Sequence, residues 1–208
     1  VDFIFVDCEK KSKNSQIGFF NLERLSVELI VKSKLFFYKG NDLTVDSIDS
    51  FIFQFYKSSK QLLGGKNILV VGVGNVGFKI ALKLVERGAN VFLKSRDQEK
   101  AKLLANTINL IKPSETISRV QRYSNEIDYD TVILSHLKPL TDNDYVVKSL
   151  HSHALIIDVG KGCLTSHQIE ILNDKNILSF RLDIGETFLN QIKLTLSGIR
   201  KFNIPKSK

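Results

Sequence analysis

Three glycines set the chemistry open to this chain. Gly72, Gly74 and Gly77 stand at the spacing G-x-G-x-x-G, after the apolar run Ile68 to Val71 and before a helical pattern. Each has a mechanical task in that setting. Gly72 permits a tight turn, Gly74 lets main chain approach a diphosphate with no Cβ in the way, and Gly77 lets a helix pack closely on a strand. The helix then opens with the N–H groups of Asn75, Val76 and Gly77, whose free donors and dipole favour phosphate oxygens. The chemistry expected is dinucleotide binding.

The next centre lies about twenty residues on. A site that reads an unmodified ribose carries Asp or Glu there. This chain has Lys94, Ser95 and Arg96, with Asp97 one step later. The two cations attract a 2′-phosphate, the serine can donate to it, and Arg96 can do so with a fork of donors. The charge favours NADP over NAD. Asp97 has two readings, ribose ligand or N-cap of the next helix.

Hydride chemistry also needs a group that moves a proton. His136, after the expected fourth strand, is the best-placed titratable side chain. Ser135 beside it faces the same half of the cofactor. After the fifth strand comes Asp158-Val159-Gly160-Lys161-Gly162. Gly160 lets main chain approach a nicotinamide, and Lys161 can hold a substrate carboxylate. The competing readings are a strand-end histidine bonded to backbone and a plain turn with a surface lysine. His151 and His153 precede the fifth strand, at the wrong edge for cofactor chemistry. Cys8 and Cys163 match no metal spacing.

These groups must be carried by alternating strands and helices. Strands are expected over Ile68 to Val71, Val91 to Leu93, Ile117 to Tyr123, Thr131 to Leu134, Ala154 to Val159 and Ile177 to Ile184. Helices are expected from the glycine turn to Gly88, over Gln98 to Asn109, from Thr141 to Leu150, over Thr165 to Asn173 and from Glu186. The result is an α/β fold, a doubly wound parallel sheet of the Rossmann type. Ahead of it stands a smaller amino-terminal α/β segment. It holds a strand at Phe3 to Val6, a polar loop at Lys10 to Gln16, a helix at Leu22 to Val31, a strand at Leu35 to Tyr38, and a helix from Thr44 to Lys60. The division reads 1–63 for the front segment, possible remnant of a substrate domain, and 64–208 for the dinucleotide-binding domain.

Composition narrows the class. Thirty Lys and Arg against 22 Asp and Glu give a net charge of +8, which suits anionic ligands. The basic clusters, Lys10 to Lys13 and Arg200 to Lys208, lack interleaved aromatics, so most of the charge reads as solvated surface and nucleic acid as an unfavoured partner. No apolar run is long enough to span a bilayer and no leader is evident, so a cytoplasmic protein is expected. The chain holds no methionine, its first position included, so it is expected to be a processed or excised piece of something longer.

Lys66 to Ala105 resembles the NADP-binding domain of the shikimate dehydrogenase and methylenetetrahydrofolate dehydrogenase superfamily, within the wider amino-acid-dehydrogenase-like group. Ser95-Arg96-Asp97 stands where shikimate dehydrogenases carry Asn-Arg-Thr; Arg96 matches and its flanks do not. Ala154 to Gly160, ALIIDVG, is similar to the fifth strand of methylenetetrahydrofolate dehydrogenases, and Leu155 to Ile184 to the end of the 2-hydroxy-acid dehydrogenase cofactor domain. Gly40 to Ile52 looks like the segment that enters the shikimate dehydrogenase cofactor domain, and the resemblance makes Asp46 the acid of its Lys–Asp pair. It implies an NADP-dependent oxidoreductase, with hydride passing to or from a small, anionic substrate. A non-catalytic NAD(P)-binding regulatory or partner module is the rival. A homodimer is left open.

Overall fold

The computed structural model describes residues 2–9, 11–14, 18–136, 139–140, 150, 152–160 and 162–197, with side chains at 2–9 and from residue 22 onward. Residues 141–149 of the helix expected from Thr141, together with His151, Lys161 and the basic tail, lie outside the described residues.

The centre is a six-stranded sheet, parallel throughout. Its strands are β5 (Asn67–Val71), β6 (Asn90–Lys94), β7 (Val120–Arg122), β8 (Thr131–Leu134), β9 (Leu155–Asp158) and β10 (Leu178–Arg181), in the order β10-β9-β8-β5-β6-β7. The order reverses between β5 and β8, and such a reversal opens a crevice at the carboxyl edge of the sheet. Residues alternate between two cores, as the pleat requires. Ile68 and Val70 face helices α2 (Gly40–Ser58), α3 (Asn75–Glu86) and α4 (Gln98–Ile111). Leu69 and Val71 face Leu140, Leu150, Cys163 and Leu172, the last on α5 (Ser166–Asp174).

The front segment pairs β1 (Phe3–Asp7) in parallel with β4 (Lys34–Tyr38), joined through α1 (Leu22–Leu29). The polar stretch expected as a loop is instead strand β2 (Lys11–Asn14), which pairs antiparallel with β3 (Gly18–Asn21). Its polar sequence, Lys-Ser-Lys-Asn, gives no alternation to signal a strand. Phe5 and Tyr38 pack on Phe188 of α6 (Gly185–Ser197), with ring centroids 5.0 Å apart for Tyr38 and Phe188, and Phe36 stacks on Phe5.

Helix α2 starts at Gly40, four residues before the expected Thr44. The cause is a cap from far away in sequence. Asp7 accepts from the Gly40 N–H at 3.2 Å and Glu9 from the Asn41 N–H at 2.6 Å, so the first free donors of the helix are satisfied by the front segment. From there α2 runs alongside α3. Asp42 pairs with Lys79, Asp46 with Lys83 at 3.0 Å, and Asp49 with Arg87 through two bonds of 2.5 and 2.8 Å. Partners that advance together along both chains mean that the two helices run parallel.

Candidate functional site

The three glycines have three different structural reasons. Gly72 is left-handed, with φ of +94°, and an added methyl would lie 3.0 Å from the His136 nitrogen, so the turn is folded against the end of β8. A methyl on Gly77 would run into the Gly72 carbonyl oxygen and sit 2.9 Å from Ser135 Oγ. Gly74, the N-cap of α3, is different: a methyl there meets nothing within 4 Å. Gly74 therefore borders open space where the first N–H groups of α3 emerge, with no acidic side chain in the first turn. Asn75, Val76 and Gly77 supply those groups. The residues present fit a diphosphate. Ser135 joins this turn from β8: its hydroxyl donates to the Gly72 carbonyl at 2.5 Å and reaches the Val71 carbonyl at 3.2 Å.

On one side of the glycine turn lie the ends of β6 and β7. Lys94 closes β6 and its ammonium sits 4.8 Å over the Tyr123 ring. Arg96 is exposed and makes no hydrogen bond or ion pair with the described residues. Asp97 is the N-cap of α4, accepting from the Lys100 N–H at 2.9 Å, and the Ser95 hydroxyl accepts from the Asp97 N–H at 3.3 Å. Of its two readings Asp97 therefore takes the cap. Sequence reasoning missed Arg122, which ends β7 in register with Leu93 and reaches Gln98 at 3.4 Å. It adds a third cation to this end of the sheet, and the only signal for it was its place at the end of a strand.

On the other side lie the ends of β8, β9 and β10. His136 and Gly160 meet there, since a methyl on Gly160 would run into the His136 carbonyl oxygen. Asp158, 2% exposed, ends β9. Its Oδ2 accepts from the N–H groups of Gly162 at 2.9 Å and Cys163 at 3.2 Å, and the Arg181 guanidinium stands 3.7 Å away. Burial, then the neighbouring Asp158 carboxylate, pushes the Cys163 thiol up to about 12. A protonated, enclosed thiol is inert. Iodoacetamide at about pH 8 is therefore expected to label Cys8 and spare Cys163 until the protein is unfolded. Peptide mass spectrometry reads this directly, and labelling of Cys163 at the Cys8 rate would contradict its enclosure.

Asp46 is not brought to this edge. Its carboxylate bonds Lys83, eight residues into α3 from Asn75, roughly 12 Å along the helix. A cavity of about 380 Å³ lies at the opposite, amino edge of the sheet, lined by Tyr56, Lys66, Asp130 and His153 among others. It does not adjoin the glycine turn. No helix among the described residues is long and apolar enough to cross a membrane.

Comparison with known proteins agrees with this geometry. A family described as NADP oxidoreductase, coenzyme F420-dependent, matches residues 67–162, a little under half of the chain. Glutamyl-tRNA reductase of a Nitratiruptor species is 36% identical over 84 residues, covering 40% of this chain and 19% of that protein. The chain thus matches only about a fifth of that relative's length. Among solved structures, the dipicolinate synthase A chain of Bacillus subtilis shares the fold with a TM-score of 0.50 at 16% identity, covering 94% of this chain and 65% of that one. Shikimate dehydrogenase of Aquifex aeolicus does so with a TM-score of 0.50 at 20% identity, covering 69% and 54%. Strand order, glycine turn and these matches lead to one statement: the chain is built on a Rossmann domain of the NAD(P)-binding type.

Proposed function

We propose that this chain binds NADP(H) across the carboxyl edge of the six-stranded sheet and serves as an oxidoreductase on a small anionic metabolite. The observation that carries the proposal is the open space over Gly74 at the mouth of α3, beside the reversal of strand order. The N–H groups of residues 75–77 would hold the diphosphate. Lys94, Ser95 and Arg96 would hold the 2′-phosphate, and the description of the matched family names NADP as well. Ser135 and Gly160 would border the nicotinamide half. When bound, the nicotinamide supplies or takes the hydride. His136 would exchange a proton with the substrate oxygen, and Lys161 would hold a substrate carboxylate. In this reading residues 64–208 are the nucleotide-binding domain and residues 1–63 the substrate-side segment. The incomplete coverage of its enzyme relatives favours one second reading, a binding module whose catalytic half is carried elsewhere.

Fluorescence titration with NADPH beside NADH tests the proposal. NADPH is expected to bind more tightly, and no binding of either would end it. Arg96→Ala is expected to weaken NADPH by about ten- to a hundredfold, roughly 1.4–2.8 kcal/mol, and NADH by less than about twofold. Equal losses would remove Arg96 from the 2′-phosphate. Turnover with a panel of hydroxy and keto acids separates enzyme from module.

A further inference from the structure

Two enclosed polar atoms at neighbouring strand ends have no partner among the described residues: Oδ1 of Asp158 and Nε2 of His136. A buried polar atom left unpaired forfeits its hydration with nothing in return. Their chemistry is complementary, because a carboxylate oxygen only accepts and an imidazole nitrogen can donate. Their placement is complementary too. Asp158 is in register with Leu134, and His136 lies two residues beyond Leu134, just past the end of β8. Cys163 touches both residues. Its N–H donates to Asp158 Oδ2 at 3.2 Å and its thiol to the His136 carbonyl at 2.9 Å. The other carboxylate oxygen is fully engaged by Gly162, Cys163 and Arg181. Oδ1 alone is left.

We propose that one enclosed water joins the two, accepting from His136 Nε2–H and donating to Asp158 Oδ1, so that Asp158 is the positioning residue of His136. The inference rests on the reading of His136 as the proton-exchanging group, and it says how that group is set. A proton fixed on Nε2 makes Nδ1 the free base. His136 as a residue is part-exposed and Nε2 is its enclosed nitrogen, so in this arrangement Nδ1 is the nitrogen left for the cleft. The carboxylate also stabilises the imidazolium that forms when Nδ1 takes a proton, the logic of an acid that orients a histidine without itself being protonated. Among the described residues, the charged and titratable groups in contact with the pair are Arg181 on β10 and Cys163 in the turn after β9.

Imidazole ¹⁵N–¹H correlation spectra of the free, full chain test the pairing. The expected result is the Nε2–H tautomer for His136, with a proton exchanging at least about tenfold more slowly than the ring protons of exposed His167. Asp158→Asn is expected to lose that protected signal, while the amides of Gly162 and Cys163 report whether the turn is kept. His136→Gln leaves Asp158 in place and must also lose it, which keeps the assignment secure if Asp158→Asn unfolds. An Nδ1–H tautomer, or a His136 ring proton as labile as that of His167, overturns the proposal. NADPH titration of the same samples is separate: failure to bind would sink the cofactor reading and leave the pair standing.

Discussion

Gly74→Ala is expected to weaken NADPH binding by about a hundredfold, roughly 2.7 kcal/mol, while the melting temperature stays within about 2 °C of the parent. The fold should tolerate the change because a methyl at Gly74 meets nothing within 4 Å and the residue sits at φ −89° and ψ −161°, extended backbone open to alanine. The expected loss is due only to the ligand, whose diphosphate would be pushed off the N–H groups that open α3. Gly77→Ala is the opposite case. Its methyl would meet the Gly72 carbonyl and the Ser135 hydroxyl, both fixed in the turn, and overpacking of this kind costs about 1–3 kcal/mol. In a chain of this size that is roughly 2–12 °C. Calorimetry and NADPH fluorescence on the two variants separate a glycine kept for a ligand from one kept for the fold. Unchanged NADPH affinity in Gly74→Ala would mean that no diphosphate rests there, and the proposed function would fall with it.

The parts of this molecule legible in the sequence are those that local chemistry dictates. Thr131 to Leu134 reads as a buried strand and is one, because both of its faces are covered and every position is apolar or, at Thr131, bonded to Tyr56 at 2.7 Å. The glycine spacing gives the turn, the helix and the strand after it. What the sequence conceals depends on partners distant along the chain. The true start of α2 is set by Asp7 and Glu9 from more than thirty residues away. The hairpin of β2 and β3 has no apolar alternation to announce it. Asp158 ends an apolar run, and nothing nearby in sequence says that its carboxylate is enclosed and holds the turn to Cys163. Arg122 joins Lys94 and Arg96 only because β7 pairs with β6.

Asp49→Ala is expected to lower the melting temperature by about 4–8 °C, and Asp46→Ala by no more than about 2 °C. The two acids lie three residues apart on α2 and both face α3, yet their surroundings differ. Asp49 is enclosed and bonds the Arg87 guanidinium through both oxygens, so its loss strands a cation against the helix interface. Arg87 is part-exposed and can turn to water, which holds the cost near 2 kcal/mol, below the 3–5 of a fully buried pair. Asp46 is exposed and Lys83 is as open to water as Arg87, and such pairs contribute well under about 1 kcal/mol. Hydrogen bonding to Asp46 raises Lys83, and hydrogen bonding to Asp49 raises Arg87. A cation raised on folding contributes fully below its unfolded value and loses the contribution only as pH climbs through the folded one, so both differences should be flat from about pH 6 to 9. Asp46→Ala also bears on the chemistry. If Asp46 does no more than bond Lys83, any turnover and the NADPH affinity survive the substitution; if turnover vanishes while the melting temperature holds, Asp46 is the acid that the shikimate dehydrogenase resemblance implies, and the front segment must reach it with substrate.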